Sequence, residues 1–251
     1  MMERLFTIPD RFFIICFRVH DVVSAFFGRH LFGIKRALLV VAHLSLLGFL
    51  FPDMRKAFGE MAANLLLIIL FLSPLSRIFR MRLLAQLMAI RRELGILMAY
   101  MATVHGLGYV LDPEWLSVFI APFFGQDVFA IEARLMFGMG AYLLTLPLLL
   151  TSNTLATRFL GGKRWKQLHR LVYGVFFLVI FHRLLTKIAS GDDVVALIET
   201  GILIGSYLFA QVLARKNVIG PLRSAITAVA LRYDRYTLMR KDEVPIHTQS
   251  Q

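Results

Sequence analysis

The feature that most constrains this chain is a series of apolar runs, each close to the length that crosses a lipid bilayer. A helix needs roughly 20 mainly apolar residues to span the hydrocarbon core. Six stretches meet or approach that length, at about 34–51, 61–76, 94–111, 134–151, 168–188 and 194–213. The second is short and ends at Pro74, which is expected to close it. Of 251 residues 58% are hydrophobic, above the ~45–50% of soluble domains. The expected fold is therefore an all-α membrane protein, a six-transmembrane-helix bundle. A further apolar stretch, 12–28, carries Arg18, His20 and Asp21 at its centre. Charge at mid-bilayer is costly, so this stretch is expected to be an N-terminal interfacial helix. Three regions follow: an interfacial or cytoplasmic segment 1–33, the bundle 34–213 and a basic tail 214–251.

The formal net charge of +12 raises the question of a nucleic-acid partner. The Lys and Arg residues, however, lie between the apolar runs and form no continuous basic face, which is the pattern of membrane topology. With the N-terminus in the cytoplasm, the cytoplasmic side receives Arg29, Lys35, Arg36, Arg77, Arg80, Arg82, Arg91, Arg92, Arg158, Lys163, Arg164, Lys166 and the basic tail. The outer side keeps Arg55, Lys56, Arg134, Arg183 and Lys187, offset by Asp112, Glu114, Asp127 and Glu132. Both termini are expected to be cytoplasmic, membrane lipid is the expected surrounding, and nucleic acid is excluded as a partner. No cleavable signal is expected, because Arg4, Asp10, Arg11 and Arg18 interrupt the first apolar residues. Cys16 is the only cysteine, which excludes an internal disulfide, a thiolate cluster and a C-x-x-C redox pair. Gly138 and Gly140 sit inside an apolar helix, and no stretch outside the spans is long enough for a flavin- or nicotinamide-binding domain.

Four of the seven histidines, His43, His105, His169 and His182, fall in or at the ends of apolar spans. Ionisable groups there are rare and usually functional, and imidazole is a common axial ligand of haem iron. Spans one, three and five run in the same direction, so depth can be counted from their basic ends at ~1.5 Å per residue. His105 lies about 20 Å beyond Arg92 and His182 about 25 Å beyond Trp165. His43 lies about 10 Å beyond Arg36 and His169 about 6 Å beyond Trp165. The four thus form an outer pair, His105 with His182, and an inner pair, His43 with His169. The bland alternative is that such histidines only hydrogen-bond between helices. His169 and His182 are 13 residues apart, about 140° around an ideal helix, so two haems on one face of span five would need different partner helices.

Several motifs resemble the ferric reductase-like transmembrane domain shared by ferric reductases, NADPH oxidases and bacterial haem-binding membrane subunits. They are Leu160-Gly161, Trp165, Leu168-His169-Arg170-Leu171 and Tyr173 followed by His182, together with Arg91-Arg92-x-Leu94-Gly95 ahead of His105. Ser73-Pro74-Leu75, Leu146-Pro147 before Thr151-Ser152-Asn153, and His43 in span one are similar to the MsrQ branch of that family. The resemblance covers about residues 36–213. It implies a six-helix cytochrome in a bacterial inner membrane, holding one or two b-type haems with ligands on spans three and five, and FMN or a quinone as further candidate cofactors. Other branches carry two histidines on span three, whereas here the position 13 or 14 residues before His105 is Arg92 or Arg91. His169 then needs another partner, such as His43.

The resulting expectation is electron transfer across the bilayer. The donor would be the quinone pool or a cytoplasmic flavin/NAD(P)H reductase, and the acceptor a periplasmic redox protein such as a methionine sulfoxide reductase. The chain itself is read as an electron-transfer subunit. His105, His182 and His169 are the candidate metal ligands, His43 a further cofactor contact, and Arg91, Arg92 and Arg170 are candidates for haem propionates or simple topology anchors. Glu199 is a candidate for quinol proton chemistry or an ordinary interfacial carboxylate. Two alternatives stay open: a terminal ferric reductase acting directly on iron, and a haem-free transporter or assembly protein.

Overall fold

The computed structural model describes residues 8–120, 133–216 and 228. The segment 121–132, the first seven residues and most of the basic tail lie outside the described residues. Helix α1 runs over Ile8–Ser45, and two 3-10 turns at Leu46–Leu50 and Pro52–Met54 lead into α2, Arg55–Phe79. Then come α3, Arg82–Ala89, α4, Arg91–Val110, and α5, Pro113–Ile120. The second half holds α6, Ala133–Leu150, α7, Thr154–Leu168, α8, Leu171–Ile188, and α9, Asp193–Lys216. The described residues contain no strand.

Among the described residues, five helical segments are long and apolar enough to cross a membrane: Arg18–Leu50, Pro52–Phe79, Ala133–Leu150, Leu171–Ile188 and Asp193–Arg215. The remaining expected span corresponds to α4, which is less apolar and is covered by protein. It packs against α1, α2 and α6, and Ile96, Leu97, Met98, Ala99 and Val104 are buried. The outer face of α9 leaves Val194, Val195, Leu197, Ile198, Ile202 and Phe209 exposed. An apolar face of that extent is at home only in an apolar surrounding.

Two boundaries differ from the sequence expectation. No break near residue 33 separates an interfacial segment from the first span, because α1 is a single helix of 38 residues. Its only weak points there, Gly28 and Gly33, cost a helix about 1 kcal/mol each, and no proline follows to stop it. Gln86 of α3 donates to the Ser24 carbonyl at 2.8 Å, which ties the first half of α1 to the bundle. Pro74 does not close the second span either. It is buried inside α2, and the helix continues to Phe79 before Arg80 turns out at φ 48°. Proline deprives one carbonyl of its partner, but membrane helices tolerate this when side chains and neighbours make up the loss. The carbonyl freed by Pro74 is that of Leu70, a residue buried in the core where α2 packs on α4. Pro147 likewise sits inside α6, which runs on to Leu150 and packs on α8.

The main core joins α2, α4, α6, α8 and α9 through Ala62, Leu66, Leu70, Met98, Leu148, Val175, Ile180 and Tyr207. Within it α2 packs on α4 and α6 packs on α8. The two helix pairs present one histidine each.

Candidate functional site

His105 of α4 and His182 of α8 face one another, their ring centroids 6.1 Å apart and their planes at 70°. Both rings are held in the same way. Nδ1 of His105 lies 2.9 Å from the Arg55 carbonyl oxygen in the first turn of α2. Nδ1 of His182 lies 2.7 Å from the Arg134 carbonyl oxygen in the first turn of α6. A carbonyl oxygen only accepts, so each Nδ1 carries the proton and each Nε2 carries a lone pair. Metal-ligating histidines are held in this manner, the second ring nitrogen donating to a carbonyl or carboxylate and thereby fixing tautomer and orientation.

The spacing suits one metal ion between the rings. Two metal–nitrogen bonds of about 2 Å, each with a ring beyond it, put the ring centres roughly 6 Å apart. Among the described residues no group of three or more His, Cys, Asp and Glu side chains could hold a metal. A two-nitrogen site of this kind matches an iron that brings its other ligands in its own macrocycle, as haem does.

The inner pair expected from depth counting is not brought together. His43 is exposed, its Nδ1 2.7 Å from the Leu39 carbonyl of its own helix, and its ring meets Tyr100 edge-on at 5.2 Å. His169 caps the end of α7, stacks on Trp165 at 4.0 Å and lies 3.1 Å through Nε2 from Thr151 Oγ1. No hydrogen bond or ring contact joins His43 to His169. His169 stands ahead of the apolar span Leu171–Ile188, and partial burial lowers its pKa below 6.5, opposed by its bond to Thr151 and reinforced by the charge of Arg91.

The three arginines expected to serve cofactor carboxylates are far from the facing histidines. Arg92 and Arg170 precede His105 and His182 by 13 and 12 residues, which is about 18–20 Å of helix. Arg92 reaches toward buried Glu93, 4.0 Å away. It also borders a cavity of about 260 Å³ with Ser152, Asn153, Thr154, Thr157, Arg158 and Trp165. Arg91 is half-buried and Arg170 exposed. At the level of the facing histidines the arginines are Arg55, ion-paired with Asp112 at 2.6 Å, and Arg134. Glu199 is ion-paired with Lys187, in keeping with an interfacial carboxylate.

Two residues of the site were not singled out by the sequence. A Cβ on Gly59 would lie 2.5 Å from Nδ1 of His105, and one on Gly138 would lie 2.8 Å from Nδ1 of His182. Their signal is a shared string, Arg55-Lys56-Ala57-Phe58-Gly59 and Arg134-Leu135-Met136-Phe137-Gly138.

Residues 58–180 match the family described as the ferric reductase like transmembrane component. The protein-methionine-sulfoxide reductase heme-binding subunit MsrQ of Azospira oryzae is 33% identical over 216 residues, covering 80% of this chain and 88% of that protein. The Klebsiella pneumoniae protein of the same name is 34% identical over 157 residues, 62% of this chain and 74% of its own length. The magnetosome protein MamZ of Magnetospirillum gryphiswaldense is 35% identical over 129 residues, 51% of this chain but only 18% of MamZ. No solved structure matches the chain.

Proposed function

Since the chain belongs to the ferric reductase-like transmembrane family, alongside the MsrQ proteins, we propose that it is the haem-binding, electron-carrying membrane subunit of a methionine sulfoxide reductase system. The observation that carries this reading is the facing pair His105 and His182, each with Nδ1 on a backbone carbonyl and Nε2 left to bind a metal. These two residues would hold the iron of a b-type haem. When bound, the haem supplies one-electron chemistry through its iron. The chain holds both imidazoles in one tautomer, sets their spacing and surrounds them with apolar helices that exclude water. Electrons would enter from quinol or a cytoplasmic flavin or NAD(P)H reductase, and leave to a periplasmic acceptor. A second cofactor, haem, FMN or quinone, would sit toward the cytoplasmic end, where Arg91, Arg92 and His169 gather. The protein would lie in a bacterial inner membrane with both termini inside.

The deciding measurement is a reduced-minus-oxidised absorption spectrum of the purified protein with haem per polypeptide quantified. A b-type, low-spin spectrum that His105→Ala and His182→Ala each abolish is the expected result. Full haem retention in both variants, or a colourless wild-type protein from haem-replete cells, would sink the reading. Reduction of ferric chelates by the isolated reduced protein would move the acceptor from a partner protein to iron itself.

A further inference from the structure

We infer that the histidine pair is built by two copies of one helix-pair unit, and that Gly59 and Gly138 are the positioning residues that let each imidazole dock on its carbonyl. The inference deepens the haem reading and rests on it for its spectroscopic consequence, although the docking itself is a property of the chain alone. The first unit is α2 with α4 and the second is α6 with α8. Arg55, Phe58, Gly59, Ala62 and Leu65 recur as Arg134, Phe137, Gly138, Ala141 and Leu144, each 79 residues later. The histidines of the paired helices recur at nearly the same interval, 77 residues, from His105 to His182.

The contacts repeat with the sequence. In each unit the acceptor is the carbonyl of the arginine and the glycine stands four residues further on. That spacing has a physical reason. The Cα–Cβ bond of a helical residue tilts toward the N-terminus, so a side chain at i+4 lies over the turn that ends in the carbonyl of residue i. With glycine at i+4 the carbonyl, already bonded within its helix, can accept a second hydrogen bond from the side. Any Cβ there would meet the imidazole at 2.5 Å or 2.8 Å, distances that no side chain tolerates. The phenylalanine before each glycine packs beside the residue that precedes the histidine. Phe137 stacks on Phe181 at 5.4 Å, while Phe58 and Val104 both crowd the same point above Gly48.

The outcome is two imidazoles arriving from separate units with the same tautomer and the same second bond. A ligand pair of this kind is set by helix backbones, which move less than side chains, so ring position is decided by packing of α2 on α4 and of α6 on α8.

The test uses the full-length protein in detergent or nanodiscs, labelled with ¹⁵N-histidine, in haem-free and haem-loaded forms. Imidazole nitrogen shifts of the haem-free wild type are expected to show His105 and His182 with the proton on Nδ1. A proton on Nε2 in either residue overturns the inference without any variant. Gly59→Ala and Gly138→Ala are each expected to remove that signature from their own histidine and to lower haem retention by roughly tenfold or more, as losing a metal ligand's supporting bond does. The remaining haem should shift from six-coordinate low-spin toward five-coordinate high-spin. Gly140→Ala, whose Cβ would meet only Leu178 at 3.4 Å, and Gly95→Ala, which meets nothing within 4 Å, should change neither readout. If both docking variants keep tautomer, spectrum and midpoint potential while the wild type carries haem, the inference falls and the haem reading stands. If the wild type carries no haem, the haem reading falls and the nitrogen shifts alone decide the docking.

Discussion

His169 and His43 show how local surroundings, more than depth along a span, decide what a membrane histidine does. His169 is occupied by Thr151 and by stacking on Trp165, whose own indole Nε1 donates to the Thr151 carbonyl at 2.9 Å. Its pKa is lowered, mainly by burial. The ring is therefore mostly neutral at neutral pH, and its protonation midpoint lies below 6.5. In the unfolded chain the proton binds near 6.5, so the stability this residue contributes is fully present above that pH. It declines as pH falls from 6.5 through the lower folded value. Trp165 fluorescence, read in a Trp115→Phe background, should be quenched on acidification with a midpoint below 6.5; a midpoint at or above 6.5 would show that burial is not the controlling cause. His43, exposed and bonded to its own helix, should be dispensable for the outer centre. His43→Ala is expected to leave the low-spin haem spectrum and haem content unchanged, and loss of half or more of the haem would return His43 to the ligand set. His105 could be placed by counting because Arg92 and His105 share α4, whereas the count to His182 began at Trp165 on α7 and fixed no depth; the facing of His182 with His105 is a fact of the packed helices. The inner pair was not legible either, because Trp165 and His169 belong to α7 and its cap. The residues between them run along a different helix from α8 and measure no depth.

At the scale of helices, local rules hold where water is the competitor and yield where packing supplies a substitute. α7 obeys them: Asn153 caps its start by accepting from the Ala156 N–H at 2.8 Å, and Gly161 breaks it with φ 73°, ψ 151°. That backbone conformation is close to glycine-only, and nothing stands within 4 Å of where a Cβ would be. Gly161→Ala should thus cost about 1–3 kcal/mol through the backbone alone, seen as a lower thermal midpoint with an unchanged haem spectrum. A thermal midpoint equal to wild type would mean that the kink is dispensable. The start of α2 offers the complementary case. Arg55 binds Asp112 beyond the end of α4, and both groups are largely shielded from water. Asp112→Asn should destabilise by about 1–2 kcal/mol, and it should broaden the haem midpoint, since the Arg55 carbonyl is the acceptor for His105. An unchanged redox titration would separate the ion pair from the docking carbonyl.

For the molecule as a whole, charge distribution and apolar packing set orientation and assembly together. The loops between the helices carry Lys and Arg on alternate sides in very unequal numbers, the pattern that retains basic loops in the cytoplasm. A C-terminal fluorescent-protein fusion is expected to be bright and a C-terminal alkaline phosphatase fusion inactive; the reverse result would invert the proposed direction of electron flow. The magnetosome relative shares 18% of its length with this chain, so a segment similar to about half of this chain recurs within a larger protein.

The sequence by itself determined that the chain is helical, multi-pass and basic on one side, because run length and loop charge are properties of the linear chain that the bilayer reads directly. It also placed His105 and His182 within apolar spans, while their facing at 6.1 Å comes from the packing of α4 and α8. Only the tertiary structure decided that α1 is one rod, that α2 passes through Pro74, and that the two imidazoles dock against glycines on neighbouring helices. Those outcomes depend on which carbonyls find donors and which Cβ positions must be empty once helices are packed, and both are settled between segments far apart in the chain.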